Sequence, residues 1–143
     1  IYGRLEYFGE HNTSNHLSNN GRGLYRLGLE LGLPWAAETG ARILEKEAER
    51  IFRPSGVLGE GSSHYHLLLA RNYADAWLAA RAHGRAEEKS LRQIVERALG
   101  VVPWLILPGG LPLVGDISPD CPPEYLLGLA GAEIGWGAET LAM

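Results

Sequence analysis

The chain has 143 residues, 45% hydrophobic and 21% charged, with a formal net charge of -4. That length supports one domain with a real hydrophobic core, and the composition excludes a disordered or fibrous protein. Lys and Arg are scattered, which argues against nucleic-acid binding, and no apolar run approaches the ~20 residues that span a bilayer.

The first predicted helix runs from about Asn15 to Leu31. His11, Asn12, Thr13 and Ser14 supply capping residues before it, and Leu17, Leu24, Leu27 and Leu31 keep helical spacing. Gly32-Leu33-Pro34 breaks the pattern, with Pro34 suited to the first turn of a second helix. That helix carries Ile43, Leu44, Ala48 and Ile51 on one stripe, with Glu45, Lys46, Glu49 and Arg50 outside. Arg53-Pro54-Ser55-Gly56 reads as a turn, and the stretch from Val57 to Ser63 as a loop.

A third helix is predicted from about His64 to His83, with Leu68, Leu69, Tyr73, Ala76, Trp77 and Ala80 as its apolar face and Gly84 as its stop. Leu91, Ile94, Val95, Ala98, Val102, Leu105 and Ile106 give a fourth helix at 3, 4, 7 spacing. Beyond Pro108-Gly109-Gly110 the chain is irregular through Asp120, with a strand conceivable only at Leu111 to Val114 and a short helix restarting near Pro123. The expected class is all-α: antiparallel helical hairpins forming an arc of an (α/α) toroid, with residues 1–143 one part of a single domain. The ends, Ile1 and Ala142-Met143, read as cuts. The expectation is therefore a segment of a longer protein.

Three polar clusters fall at helix starts or in loops. In the first, Asn15 and His16 open helix one, and i, i+4 spacing puts His16 and Asn20 on one face. Free amides and the helix dipole attract anions there, although the same residues also serve as an N-cap and a solvated turn. The second is Glu60-Gly61-Ser62-Ser63-His64-Tyr65-His66 at a loop-to-helix junction. A tyrosine so placed exchanges a proton with a reacting carbon, or merely packs its ring with its hydroxyl in water. His64 and His66 are two apart and cannot share a helical face, and Cys121 is the lone cysteine, so neither a metal nor any cofactor is expected. The third cluster runs from Gly109 to Asp116; it lacks the Gly-Lys-Ser/Thr of a phosphate loop, and Asp116 there caps a turn or holds a side chain in the cleft. Trp35, Trp77, Trp104 and Trp136 offer stacking surfaces for sugars, with Trp77 and Trp104 placed on core-facing stripes. Arg4, Arg22 and Arg71 are the cations within reach of a cleft.

Taken in order, Asn15-His16-Leu17, then Glu60-Gly61-Ser62-Ser63-His64-Tyr65-His66, then Pro112-Leu113-Val114-Gly115-Asp116 resemble the heparinase II/III-like and alginate lyases. Those enzymes carry an Asn-His-Leu, a Glu-x-Ser-x-x-Tyr-His and a Pro-Leu-apolar-(Gly/Asn)-Asp in this sequence, and the likeness extends over roughly residues 10–120. The resemblance implies β-elimination on a uronic-acid polysaccharide; that no nucleic acid and no membrane span are expected rests on the charge and hydropathy of the chain. It implies Asn15, with His16 beside it, as donors to the uronate carboxylate and Tyr65 as the acid, in some members also the base. Glu60, Ser62, His66, Asn20 and Asp116 would support these groups or bind substrate. It implies a periplasmic or secreted protein, and a further histidine from a β-sandwich domain that this chain does not contain. The segment alone would then have an incomplete site. Two other readings stay open: an (α/α)-toroid glycoside hydrolase using Glu60 and Asp116, and a non-catalytic helical module that binds polysaccharide or protein. The polymer and the oligomeric state are not legible.

Overall fold

Residues 14–117 are described by the computed structural model, and they are mostly helical, with no strand among them. Helix α1 (Ser14–Glu30) and helix α2 (Pro34–Ile51) form the first hairpin. Its turn is closed by the Leu33 N–H on the Gly28 carbonyl at 2.8 Å, and Pro34 opens α2 where a missing N–H costs nothing. Helix α3 (Ser63–Ala82) and helix α4 (Glu88–Gly100) form the second hairpin, and a single turn, α5 (Val102–Leu105), follows.

The hairpins lie side by side, α1 against α3 and α2 against α4. The direction of α1 relative to α3 follows from three side-chain pairs: Asn19 with Asn72, Arg22 with Asp75, and Glu30 with His83. Each pair is 53 residues apart, so the two helices run parallel at a constant register. At that register the first turn of α3 projects one turn past the start of α1. One core joins all four long helices, with Tyr25, Leu44, Ile51, Leu67, Tyr73, Leu91 and Val95 among its buried members.

Within the first hairpin the packing stripe is built from small residues. A methyl on Gly40 would lie 2.5 Å from the Tyr25 backbone nitrogen, so α1 and α2 touch backbone to backbone there. Leu17, Gly21, Leu24, Tyr25 and Gly28 are the buried face of α1. Leu27 and Leu31, expected on that face, are 47% and 64% exposed. Leu27 sits at the edge of the stripe, and Leu31 lies beyond the end of the helix.

Two further expectations are corrected. The fourth helix stops at Gly100 rather than continuing to Ile106. Pro103 has no N–H for the Leu99 carbonyl and its ring crowds that carbonyl, so the chain restarts as the short α5. The same break turns Trp104 out of the core, to 86% exposure, whereas Trp77 is buried as expected. Leu111 to Val114 form no strand; Leu107 and Gly110 close a turn, and the following residues run along the N-terminus of α3. His11, Asn12, Thr13, Arg4, Trp136 and the helix read near Pro123 lie outside the described residues.

Candidate functional site

The site is built around the first turn of α3. Ser62 has extended backbone (φ -98°, ψ 123°) and is the N-cap, its Oγ accepting from the Tyr65 N–H at 3.0 Å. That is the ordinary use of serine at this position, where it satisfies one of the unpaired amides of a helix start. The same hydroxyl donates to the Asp116 carbonyl at 2.5 Å. Ser63 extends the junction. Its Oγ donates to the Pro112 carbonyl at 2.5 Å and accepts from the Val114 N–H at 3.0 Å, while its own N–H donates to the Val114 carbonyl at 3.1 Å. The second and third sequence clusters are therefore in direct contact, although some 50 residues separate them.

Gly115 makes this close approach possible. Its φ is +74°, a region that favours glycine, and a Cβ there would lie 3.0 Å from the Gly61 carbonyl oxygen. The segment Pro112–Asp116 is thus a strap laid across the start of the helix that carries Tyr65. Beneath it is a cavity of about 190 Å³, walled by Leu58, Ser62, Ser63, His66, Leu105 and Pro112.

Tyr65 is half-buried, with its ring edge-on to the His64 ring at 6.2 Å between centroids. Tyr25 and Tyr73 are fully buried, and burial pushes both phenols far upward, so neither can exchange a proton near neutral pH. Among the described tyrosines, Tyr65 is the one with solvent contact. Glu60 and the Asp116 side chain are exposed at the two ends of the Ser62 junction.

His66 turns the other way. It is 1% exposed, its Nδ1 accepts from the Leu58 N–H at 3.2 Å, and its Nε2 lies 2.7 Å from the Ala98 carbonyl. Those partners need an acceptor at Nδ1 and a donor at Nε2, which is the neutral ring. Burial holds its pKa below the ordinary imidazole value, with the Ala98 hydrogen bond opposing. His66 is therefore a tie between the α2–α3 loop and α4, set behind the site rather than in it.

The first cluster divides. Asn19 lies on the α3-facing side of α1, because its Oδ1 accepts from Asn72 Nδ2 at 2.8 Å. Asn15 is four residues earlier and so on the same side. On α3, Tyr65 precedes Asn72 by seven residues and shares its stripe. At the constant register Asn15 is level with Leu68, roughly 4.5 Å along the axis from Tyr65 at 1.5 Å per residue. Asn15 Oδ1 accepts from the His16 N–H at 2.8 Å, which turns the oxygen toward its own helix. His16 is exposed one step round the helix, with Asn20 partly exposed beside it. They do share a face, but it is not the one that meets α3.

The sequence reading named Ser63 and Asn19 within its polar clusters without giving either a role, and it did not single out Asn72 or Asp75. The polar series Asn15, Asn19, Arg22, Arg26, Glu30 recurs at helical spacing and marks the seam; Arg22 and Arg26 both reach Asp75, at 3.3 and 3.6 Å. Arg22 is thereby committed to the seam, and Arg71 is half-buried. Among the described residues no cluster of three or more His, Cys, Asp or Glu is arranged to hold a metal, and no helix is long and apolar enough to cross a membrane. No family model, curated protein or solved structure matches this chain.

Proposed function

We propose that this chain is part of a polysaccharide lyase that cleaves uronic-acid polymers by β-elimination, and that its two hairpins are an arc of an (α/α) toroid. The observation that carries this is the Ser62 hydroxyl, which joins the Tyr65 amide to the Asp116 carbonyl and so unites two of the three motifs at one helix start. Asn15 supports it from the facing stripe of α1.

In the proposed reaction Tyr65 acts as both base and acid: its phenolate takes the proton from C5 of the uronate, the C5–H electron pair forms the C4–C5 double bond, and the bond from C4 to the bridging oxygen breaks as the regenerated phenol protonates that oxygen. The C5 proton is weakly acidic, so charge developing on the carboxylate must be met by positioned donors. Asn15 has its oxygen held by the His16 amide, which leaves Nδ2 as the donor end toward a carboxylate. Tyr65 delivers a proton to the departing oxygen, from the one tyrosine position among those described that is open to solvent. Ser62 and the strap fix the phenol's helix, and His66 braces it from behind. A periplasmic or extracellular setting, where such polymers occur, belongs to the same proposal.

The test is product chemistry. The longer protein of which this chain is proposed to be a part, offered a panel of uronate polymers, should yield an unsaturated sugar that absorbs in the ultraviolet. New reducing ends without that absorbance would make it a hydrolase, and binding without cleavage would make it a non-catalytic module.

A further inference from the structure

Ser63 falls between the residues of the Tyr65 motif, and nothing in the resemblance gives it a role. Its environment does. It is the first residue of α3, it is buried, and its side chain and backbone make three hydrogen bonds to a single remote segment. Two go to Val114 and one to Pro112, so the strap is held on both sides of Leu113. The exposed groups of the strap, Leu113, Val114 and the Asp116 side chain, are then presented beside the turn that bears Tyr65.

We propose that Ser63 is a positioning residue that fixes the Pro112–Asp116 strap as a substrate-binding wall beside Tyr65; this rests on the lyase proposal above. Ser62 and Ser63 divide the work. Ser62 caps the helix and so holds Tyr65, whereas the Ser63 hydroxyl touches only the strap. Loss of the Ser63 hydroxyl removes two of the four hydrogen bonds that hold the strap, leaving those of the Ser63 N–H and the Ser62 hydroxyl, and so loosens the wall while the phenol stays capped. Loosening a wall that contacts substrate equally before and during reaction raises KM and spares kcat.

The experiment compares wild type, Ser63→Ala and Val114→Pro in the longer protein of which this chain is proposed to be a part. Val114→Pro removes the N–H that Ser63 accepts while its own side chain is exposed, so it reaches the same contact if Ser63→Ala fails to fold. Hydrogen exchange at the Val114 amide is read in wild type and Ser63→Ala, and should quicken about five-fold or more once its acceptor is gone. On a polymer that wild type cleaves, KM should rise about ten-fold in either variant with kcat within about two-fold. An active wild type beside variants with unchanged KM, or with a loss in kcat alone, overturns the positioning role and leaves the lyase reading standing. Unaltered Val114 exchange overturns it as well. A wild type that leaves every uronate polymer intact overturns the lyase reading, and this role with it.

Discussion

Asn72 donates its side-chain amide to Asn19 Oδ1 across the seam between α1 and α3, at 2.8 Å. Asn72 is 5% exposed, and its own Oδ1 has no hydrogen-bond partner among the described residues. The pair sets the register that puts Asn15 near the level of Tyr65.

Replacing one partner should therefore cost more than replacing both. Asn19→Ala leaves the buried Asn72 amide unmet and should destabilise the fold by about 1–3 kcal/mol. The double variant Asn19→Leu with Asn72→Leu should recover most of that loss. Chemical denaturation of the three proteins decides the matter, and equal losses in single and double variants would show that the amide pair does not set the seam.

Ser62→Ala should lower stability by about 1–2 kcal/mol through the lost cap alone. It also releases Asp116, so proteolysis within the strap should accelerate. The conservative change Ser62→Thr keeps the cap oxygen and should restore most of the stability.

His66 predicts a pH dependence with a definite sign. Its folded pKa is depressed, so the unfolded chain binds the extra proton first as pH falls. Its contribution is complete above the ordinary value of 6.5 and is lost progressively as pH drops below it. In wild type, stability should decline between about pH 6.5 and 5 more steeply than in His66→Gln, which cannot protonate. Parallel curves for the two proteins would contradict the neutral, doubly bonded ring.

Gly40→Ala should destabilise the first hairpin by about 1–3 kcal/mol, because the new methyl meets backbone rather than a side chain that can move. A glycine in a helix interior ordinarily gains from this substitution. A stabilised Gly40→Ala protein, measured by thermal unfolding, would mean the helices are not in backbone contact.

Much of the helical layout was legible because capping and breaking residues are local. Pro34 opens the second helix in the structure as it does in the sequence, and the third helix, expected from about His64, begins at Ser63 behind the Ser62 cap that was read as loop. What failed was the reach of apolar periodicity. It carried the fourth helix through Pro103, where backbone chemistry overrides the pattern, and it placed Trp104 inside. It also counted Leu27 and Leu31 as core, whereas the contact face of α1 is made with Gly21 and Gly28, which hydrophobic spacing does not detect. Within the site, Ser62, Tyr65 and Asp116 were picked out because each lies in a compact polar cluster that matches a motif of the family resembled. Ser63, Asn19 and Asn72 were given no role, since theirs comes from partners about 50 residues away. His66 was grouped with Tyr65, as a supporting residue, through the Tyr-His of the family resemblance; successive helical residues point about 100° apart, and in the structure His66 faces the core.

The phenol of Tyr65 is the group on which the proposed chemistry turns, and removing its oxygen tests that most directly. Tyr65→Phe keeps the ring against His64 and the core, so stability should stay within about 0.5 kcal/mol of wild type. Formation of the ultraviolet-absorbing unsaturated uronate should fall by about 100- to 10,000-fold, the usual worth of a general acid or base. Substrate binding should persist. A Tyr65→Phe protein that turns over uronate polymer at the wild-type rate would contradict the assignment, and a folded wild type that forms no unsaturated product from any uronate polymer would contradict the lyase reading itself.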